Sequence, residues 1–500
     1  LRAALGPALR ALSLGAAAGF CIGLAGAPEE WWPAAWLGPG LLLLALEDAH
    51  GAIVRPRHAI LAGLACGLSC NAWTMRWSVG LFERFAGLPL PLALLLATLL
   101  FLGQSVPWAI GAGLAASIAT RGRAWIVLPL AATLAASGTP MIFPWRPGVS
   151  QVALLPFVQC ADLGGAPLVD LAFLFGGCAA MQALRHRDRR AAITAALVIA
   201  ATLGYGLVRL EQVRVARSFA PRLRVGIVQH GLGIEERMDP MRTLSDHQAM
   251  RRATAALEAE GAELVVWPES AYGFGWRRGR VDDPSGDDAF FRDGVHGPLL
   301  VGAITASWTE HWNSVLALEH GRVVGVADKV HLMLFGEHVP FWDLLPPLQQ
   351  LVPRGLTEGS VDSDVLAVAG TRVGILNCYE DLVDEHARQL AERGAELLTN
   401  HTNDAWFGDT GAPHLHRFLS TMRAIETRRD LVRAVGTGPS GLTMATGERD
   451  DGTPTFVAAT RLVDAHLLTE ITPWTRWGDV VTPAVAAILV VLALRRRRAS

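Results

Sequence analysis

Lysine is almost missing from this chain: Lys329 is the only one among 44 lysines and arginines. Nearly every cationic position is met by arginine, so the site that keeps an ammonium asks for something a planar, permanently charged guanidinium cannot supply. Cysteine is scarce as well. Of six in 500 residues, Cys21, Cys66, Cys70, Cys160 and Cys178 lie in the apolar first part, and Cys378 stands alone in the charged part that follows. A disulfide within that part is therefore excluded, and a lone thiol there is either inert core or a nucleophile. Net charge is small, −2 at pH 7, with no long basic stripe, so nucleic acid is not an expected partner. Internal repeats and low-complexity linkers are missing too. His414 and His416 are two apart, which does not place them on one helical face. Neither a metal nor a cofactor is expected.

What is present is a division that the mean hydropathy of +0.31 conceals. Apolar runs that approach the ~20 residues needed to cross a bilayer are expected at roughly 5–26, 33–49, 58–81, 88–119, 124–144, 166–184, 191–210 and 479–494, with Pro107 kinking or tilting the fourth. The loops after the second, fourth, sixth and eighth runs carry Arg55 and Arg57, Arg121 and Arg123, Arg185 to Arg190, and Arg495 to Arg498. The alternate loops carry Glu29, Glu30, Glu83 and Asp162. Arginine retained on the cytoplasmic side predicts both termini inside and the segment between the last two spans outside. The expected organisation is a polytopic membrane domain over 1–210, an extracytoplasmic α/β domain over 221–470, a last span over 479–494 and a cytoplasmic basic tail over 495–500. Arg2, Arg10 and Ala25-Gly26-Ala27 also fit a cleavable signal segment, which leaves the remaining topology unchanged.

In the charged part, short β-branched runs alternate with amphipathic stretches. Strands are predicted at 223–229, 264–267, 299–304, 315–318, 322–327, 372–377 and 396–399, and helices at 241–260, 381–394 and 413–430. Three strand ends look chemical. Val265-Val266-Trp267-Pro268-Glu269 ends on a carboxylate, Asp328-Lys329 follows a strand with the sole lysine, and Val373 to Asn377 delivers Cys378 to a strand-to-helix turn. A thiol at such a turn is exposed, with backbone N–H groups at hand for an oxyanion. Glu269 can act as its base if desolvation raises its pKa, while Lys329 and the Tyr379 N–H can stabilise the intermediate. Singly, each residue has an ordinary reading as core, solvated surface or ion pair. Their joint occurrence is harder to explain that way.

Glu, Lys and Cys in that order, as Trp267-Pro268-Glu269-Ser270, Lys329 followed eight residues later by Glu337, and Cys378-Tyr379-Glu380, resemble the carbon–nitrogen hydrolase (nitrilase) superfamily. Phe143-Pro144-Trp145, Gln159 with Asp162-Leu163-Gly164-Gly165, Asn403 to Gly408, His416 and Arg423 to Glu426 extend the resemblance to its membrane branch, the apolipoprotein N-acyltransferases. This resemblance implies a four-layer αββα sandwich with Glu269 as base, Lys329 as electrophilic support and Cys378 as nucleophile. Glu337 would hold Lys329 or assist the base, and Tyr379 and Glu380 would shape the site. It also implies a bacterial inner-membrane enzyme. A phospholipid, phosphatidylethanolamine by the family's habit, would give its acyl chain to a thioester and then to a diacylglyceryl apolipoprotein. Departures at His230, Met238, Met333-Leu334 and Pro439-Ser440 bear on substrate choice.

Met333, Leu334, Phe335, Phe341, Trp342 and Trp406 can be plain core or can meet lipid. The competing readings are a membrane-anchored amidase that releases the acyl group to water, and a non-catalytic scaffold or transporter. Three intact reactive residues and sparse intramembrane charge argue against the latter. The arginine pattern predicts that reporter fusions at Gly231 and Ala369 read out as extracytoplasmic and those at Arg187 and Arg497 as cytoplasmic; a cytoplasmic signal at Gly231 overturns the topology.

Overall fold

The computed structural model describes residues 6–48, 51–85, 87–237, 239–334, 336–338 and 355–499. The chain forms two compact units. One comprises Leu1–Gln212, Thr410–Met422 and Arg476–Ser500, and the other Val213–Asp409 and Arg423–Thr475.

The first unit is helical. Three apolar helical stretches among the described residues, Leu90–Ile118, Ala161–His186 and Arg189–Phe219, the last ending in the second unit, are long and apolar enough to cross a membrane, while Pro7–Gly23, Trp32–Leu46 and Ala124–Gly138 are shorter. The run expected over 88–119 is two helices, Leu90–Gln104 and Val106–Ile118, that meet at Ser105. Pro107 sits in the first turn of the second helix, where its missing N–H costs nothing. Pro7–Gly23 packs backbone to backbone on Pro56–Thr74. A Cβ on Gly15 would lie 2.1 Å from the Ala62 carbonyl oxygen, and one on Gly19 would lie 1.8 Å from that of Cys66. In lipid, where burial of apolar groups drives no association, such small-residue contacts let helices approach closely.

The second unit contains twelve strands among the described residues: β1 (Arg222–Gln229), β2 (Leu264–Val266), β3 (Tyr272–Arg277), β4 (Leu299–Ala306), β5 (His311–Glu319), β6 (Arg322–Asp328), β7 (Val365–Val368), β8 (Thr371–Asn377), β9 (Leu397–Thr402), β10 (Leu431–Val435), β11 (Gly441–Thr443) and β12 (Ala459–His466). They form a seven-stranded sheet in the order β12-β1-β2-β4-β5-β6, with β3 on β4, and a five-stranded sheet in the order β11-β10-β9-β8-β7. All seven strands read from the sequence are present. The last of them runs on from Thr399 through Asn400, His401 and Thr402, because those polar side chains are buried and bonded at its end. Five strands escaped the reading. β3 carries glycine at 273 and 275, β7 and β11 are only four and three residues long, and β12 alternates with polar outward positions. β10 begins directly after the helix expected over 413–430, which ends at Thr427, so no turn signal separates the two patterns.

Side chains alternate across each strand, and this alternation builds the layers. Leu264 and Val266 face a core shared by both sheets, with Val225, Ile227, Val315, Val373, Ile375 and Val432. Val265 points the other way, into a core with Met250 and Leu257 of the helix Thr243–Ala259. On the far side of the smaller sheet, Leu376, Leu398 and Leu431 pack with Ala387 and Leu390 of the helix Asp384–Glu392. The order helix, sheet, sheet, helix is the four-layer αββα sandwich that the resemblance implies. Gly302 on β4 lets the end of β2 come close: a Cβ there would stand 2.2 Å from the Pro268 carbonyl oxygen and 2.7 Å from the Glu269 Cα. Since the clash is with backbone, Gly302→Ala should cost about 1–3 kcal/mol of stability and displace Glu269. A thermal melt paired with an activity assay checks this; unchanged values in both would show that the approach is not tight.

Candidate active site

Four segments converge, three of them at strand ends. Parallel pairing of β2 with β4 and antiparallel pairing of β4 with β5 and β5 with β6 bring the C-terminal ends of β2, β4 and β6 and the start of β5 to one end of the larger sheet. Glu269 lies just past β2 and is 5 % exposed; Lys329 lies just past β6 and is 2 % exposed. Lys329 Nζ stands 3.3 Å from Glu269 Oε1 and 2.8 Å from Glu337 Oε1. Cys378 follows β8, which belongs to the smaller sheet, and opens the 3₁₀ turn Cys378–Leu382 with φ +54°. A non-glycine residue in that left-handed region carries strain of about 1–3 kcal/mol. Here it sets the partly exposed side chain off the strand direction at the turn, near enough to Glu269 for each group to shift the other's proton affinity.

The electrostatics follow from burial. Desolvation lifts Glu269 above the usual carboxylate range and Glu337 adds to the rise, while Lys329, the Asn313 amide and the Cys378 thiol oppose it. Desolvation likewise pushes the Cys378 thiol well up, helped by Glu269 and only partly countered by Lys329. Burial alone would depress Lys329, but Glu269, Cys378 and Glu337 outweigh it and hold the ammonium charged. A resting pair of thiol and carboxylate, poised beside a fixed cation, is what these shifts describe.

Several positioning groups had little signal in the sequence. Asn313, inside β5, donates from Nδ2 to Glu269 Oε1 at 2.6 Å and to Glu337 Oε1 at 3.0 Å. Its Oδ1 accepts from Asn377 Nδ2 at 3.1 Å, and its carbonyl accepts the Lys329 N–H at 2.8 Å. The only hint was an amide set in an apolar strand, where burial demands partners. Asn400 Nδ2 donates to the Cys378 carbonyl at 2.8 Å. The Arg237 guanidinium donates to the carbonyls of Glu269 and Ser270. Asp404 lies against Arg433 at 3.5 Å, within a buried group that also contains Asp381.

Of the residues expected to support the site, Glu337 holds Lys329 with both carboxylate oxygens at 2.8 Å, and its Oε2 also accepts the Met333 N–H at 2.9 Å. Glu380 is buried and clamps two segments together. Its Oε1 accepts the N–H groups of Val330 (2.7 Å) and His331 (2.9 Å), and its Oε2 accepts that of Asn377 (2.7 Å). Tyr379 is half-buried within the Cys378 turn. Among the residues expected to meet lipid, Met333 and Trp406 are half-buried and Leu334 is 44 % exposed. Phe335, Phe341 and Trp342 lie outside the described residues, as does Met238.

Fold and site together define a carbon–nitrogen hydrolase domain, and the model of the family described as carbon-nitrogen hydrolase matches residues 224–467. Residues 18–179 match the apolipoprotein N-acyltransferase N-terminal domain. The chain is 30 % identical to the apolipoprotein N-acyltransferase of Geobacter metallireducens, over 93 % of this chain and 92 % of that protein. It is also 30 % identical to that of Azotobacter vinelandii, over 97 % and 95 %. The chain belongs to the apolipoprotein N-acyltransferase family. Among solved structures, an amidase from Nesterenkonia sp. aligns with a TM-score of 0.35 at 21 % identity, over 49 % of this chain and 91 % of that one.

The geometry predicts that Lys329→Arg is nearly inactive although it keeps the charge. A guanidinium is too broad for a pocket in which one nitrogen meets Glu269 and Glu337 together. Loss of one oxyanion donor costs about 2.7–4 kcal/mol in the transition state. Acyl transfer by a normally folded variant is the measurement, and a substantial residual rate would assign this lysine a merely structural role.

Proposed function

We propose that the chain takes a fatty acyl group from a membrane phospholipid, phosphatidylethanolamine, onto Cys378 and passes it to the α-amine of an N-terminal diacylglyceryl-cysteine on a lipoprotein. The observation that carries this reading is the single ammonium of Lys329, which the fold sets within reach of Glu269 beside the only thiol of the α/β unit. Relatives of the same family name, matched over nine-tenths of both chains, favour transfer over release to water.

In the first half-reaction Glu269 takes the Cys378 proton and the thiolate attacks the ester carbonyl. The oxyanion rests on Lys329 Nζ and the Tyr379 N–H. Its collapse expels the glycerol oxygen, which receives the proton back from Glu269, and the lysophospholipid leaves. In the second, the lipoprotein amine attacks the thioester, Glu269 accepts its proton, and the departing thiolate recovers it as the amide forms. Two steps through one covalent intermediate give ping-pong kinetics. Glu337 keeps Lys329 in place, Glu380 ties the Cys378 turn to the Lys329 segment, and Met333, Leu334 and Trp406 offer apolar surface to the chain. The same reading keeps the domain limits 1–210, 221–470 and 479–494, about eight spans, cytoplasmic termini and an extracytoplasmic α/β domain in the bacterial inner membrane.

Mass spectrometry after incubation with phosphatidylethanolamine should find a hydroxylamine-sensitive acyl adduct that Cys378→Ala lacks; an adduct that persists in that variant eliminates Cys378 as carrier. Glu269→Gln keeps shape but accepts no proton, so acylation should slow roughly 10²–10⁴-fold. The base must be ionised to work, so the wild-type rate should rise with pH through the Glu269 pKa. Burial places that limb above the ~4.3 of an ordinary glutamate. A Glu269→Gln profile with the same acidic limb would move the base elsewhere.

A further inference from the structure

The turn between β4 and β5 combines features that the proposed chemistry does not use. Ser307 N–H donates to the Glu310 carbonyl at 2.9 Å and closes the turn, leaving Trp308 and Thr309 at its tip. Trp308 is 92 % exposed, the most exposed large apolar side chain among the described residues. The Arg277 guanidinium covers one face of its ring, 5.4 Å from the centroid. Two more such pairs stand beside it: Arg278 on Trp312 at 4.4 Å and Arg280 on Trp276 at 5.2 Å. Arg278 is engaged by Asp328 at 2.6 Å, but Arg277 has no carboxylate partner among the described residues. Within the turn, Glu310 is half-buried and its N–H donates to Ser307 Oγ at 3.0 Å.

The place of this turn matters as much as its composition. β4 runs parallel to β2, so the turn lies at the same end of the sheet as Glu269 and Lys329. His311, which follows it, accepts the Thr357 N–H at 2.8 Å, and the neighbouring Leu356 donates to the carbonyl of Glu337, the carboxylate that holds Lys329. Exposed Leu334 belongs to that same Lys329-to-Glu337 segment. A solvated tryptophan has no folding reason to stand clear of the core, whereas an indole with an arginine beside it matches the layer where acyl chains meet phosphates. Trp favours that layer, and arginine pairs with phosphate.

We infer that the β4–β5 turn, through Trp308 and the arginines of β3 and its following turn, is a docking surface for the phosphate-bearing face of a phospholipid bilayer, seating the active-site end of the sheet on its donor. The inference rests on the proposed use of a phospholipid, and its test separates the two. Full-length enzyme is placed in vesicles of phosphatidylethanolamine and phosphatidylglycerol, with and without brominated-chain phosphatidylcholine. The emission difference between wild type and Trp308→Phe isolates Trp308. A blue-shifted component quenched by bromine supports docking even if no acyl transfer is seen; a red, unquenched component overturns it whatever the activity.

In the same vesicles, Trp308→Glu with Arg277→Glu should raise the KM for the phospholipid donor roughly tenfold. The kcat should stay within about twofold, and acylation by a water-soluble acyl thioester should be unchanged. An unchanged donor KM, equal loss with both donors, or a rise confined to the KM of the lipopeptide acceptor would each overturn the bilayer as occupant.

Discussion

One ammonium shared by two carboxylates organises the site. Lys329 Nζ, 2 % exposed as a residue, meets Glu269 at 3.3 Å and Glu337 at 2.8 Å, and Asn313 binds the same two oxygens from the other side. Burying an unpaired cation would be prohibitive, so the pocket holds only while all of these groups are in register. That requirement reaches far into the fold. Asn313 must sit at its place on β5, Gly302 must admit the end of β2, and Glu380 must tie the Cys378 turn to the Lys329 segment. A displacement at any of these points leaves a buried charge without its partner.

The same arrangement explains why the proposed base and nucleophile rest as carboxylate and thiol. Desolvation raises both Glu269 and Cys378, which keeps the thiol protonated until substrate arrives. Glu269 is then the carboxylate at hand to accept the proton. Fixed positive charge from Lys329 acts on the thiolate and the oxyanion alike, so the transition state gains more from it than the resting thiol does. Arginine elsewhere in the chain is consistent with this economy: wherever charge alone is needed, a guanidinium suffices.

A cytosolic or extracellular amidase needs only the sandwich. Here the sandwich is joined to a helical unit whose glycines permit backbone contacts between apolar helices. In the proposed reaction the donor is an ester buried at the edge of a bilayer, and both the exposed Leu334 and the Trp308 turn lie toward the reactive end of the larger sheet. An apolar acyl chain and a phosphate must be received together, and the surface around that end offers side chains suited to each.

The sequence by itself determined the proposed reactive residues and the strands they follow. A carboxylate after Val265-Val266-Trp267, a solitary lysine after β6 and a solitary thiol after β8 are visible because strands with period-2 or continuous apolar character end abruptly in polar chemistry. Local order and composition carry that information. Tertiary structure alone decided how Asn313, Asn400 and Arg237 enter the site. Each makes its contact across a strand pairing or a loop distant in sequence, and an amide or guanidinium looks the same in sequence whether it meets water or a buried carboxylate. Strands β3, β7, β10, β11 and β12 were hidden for a related reason: they are short, glycine-bearing, half-polar or continuous with a helical pattern, and they become strands because a neighbouring edge supplies their hydrogen bonds.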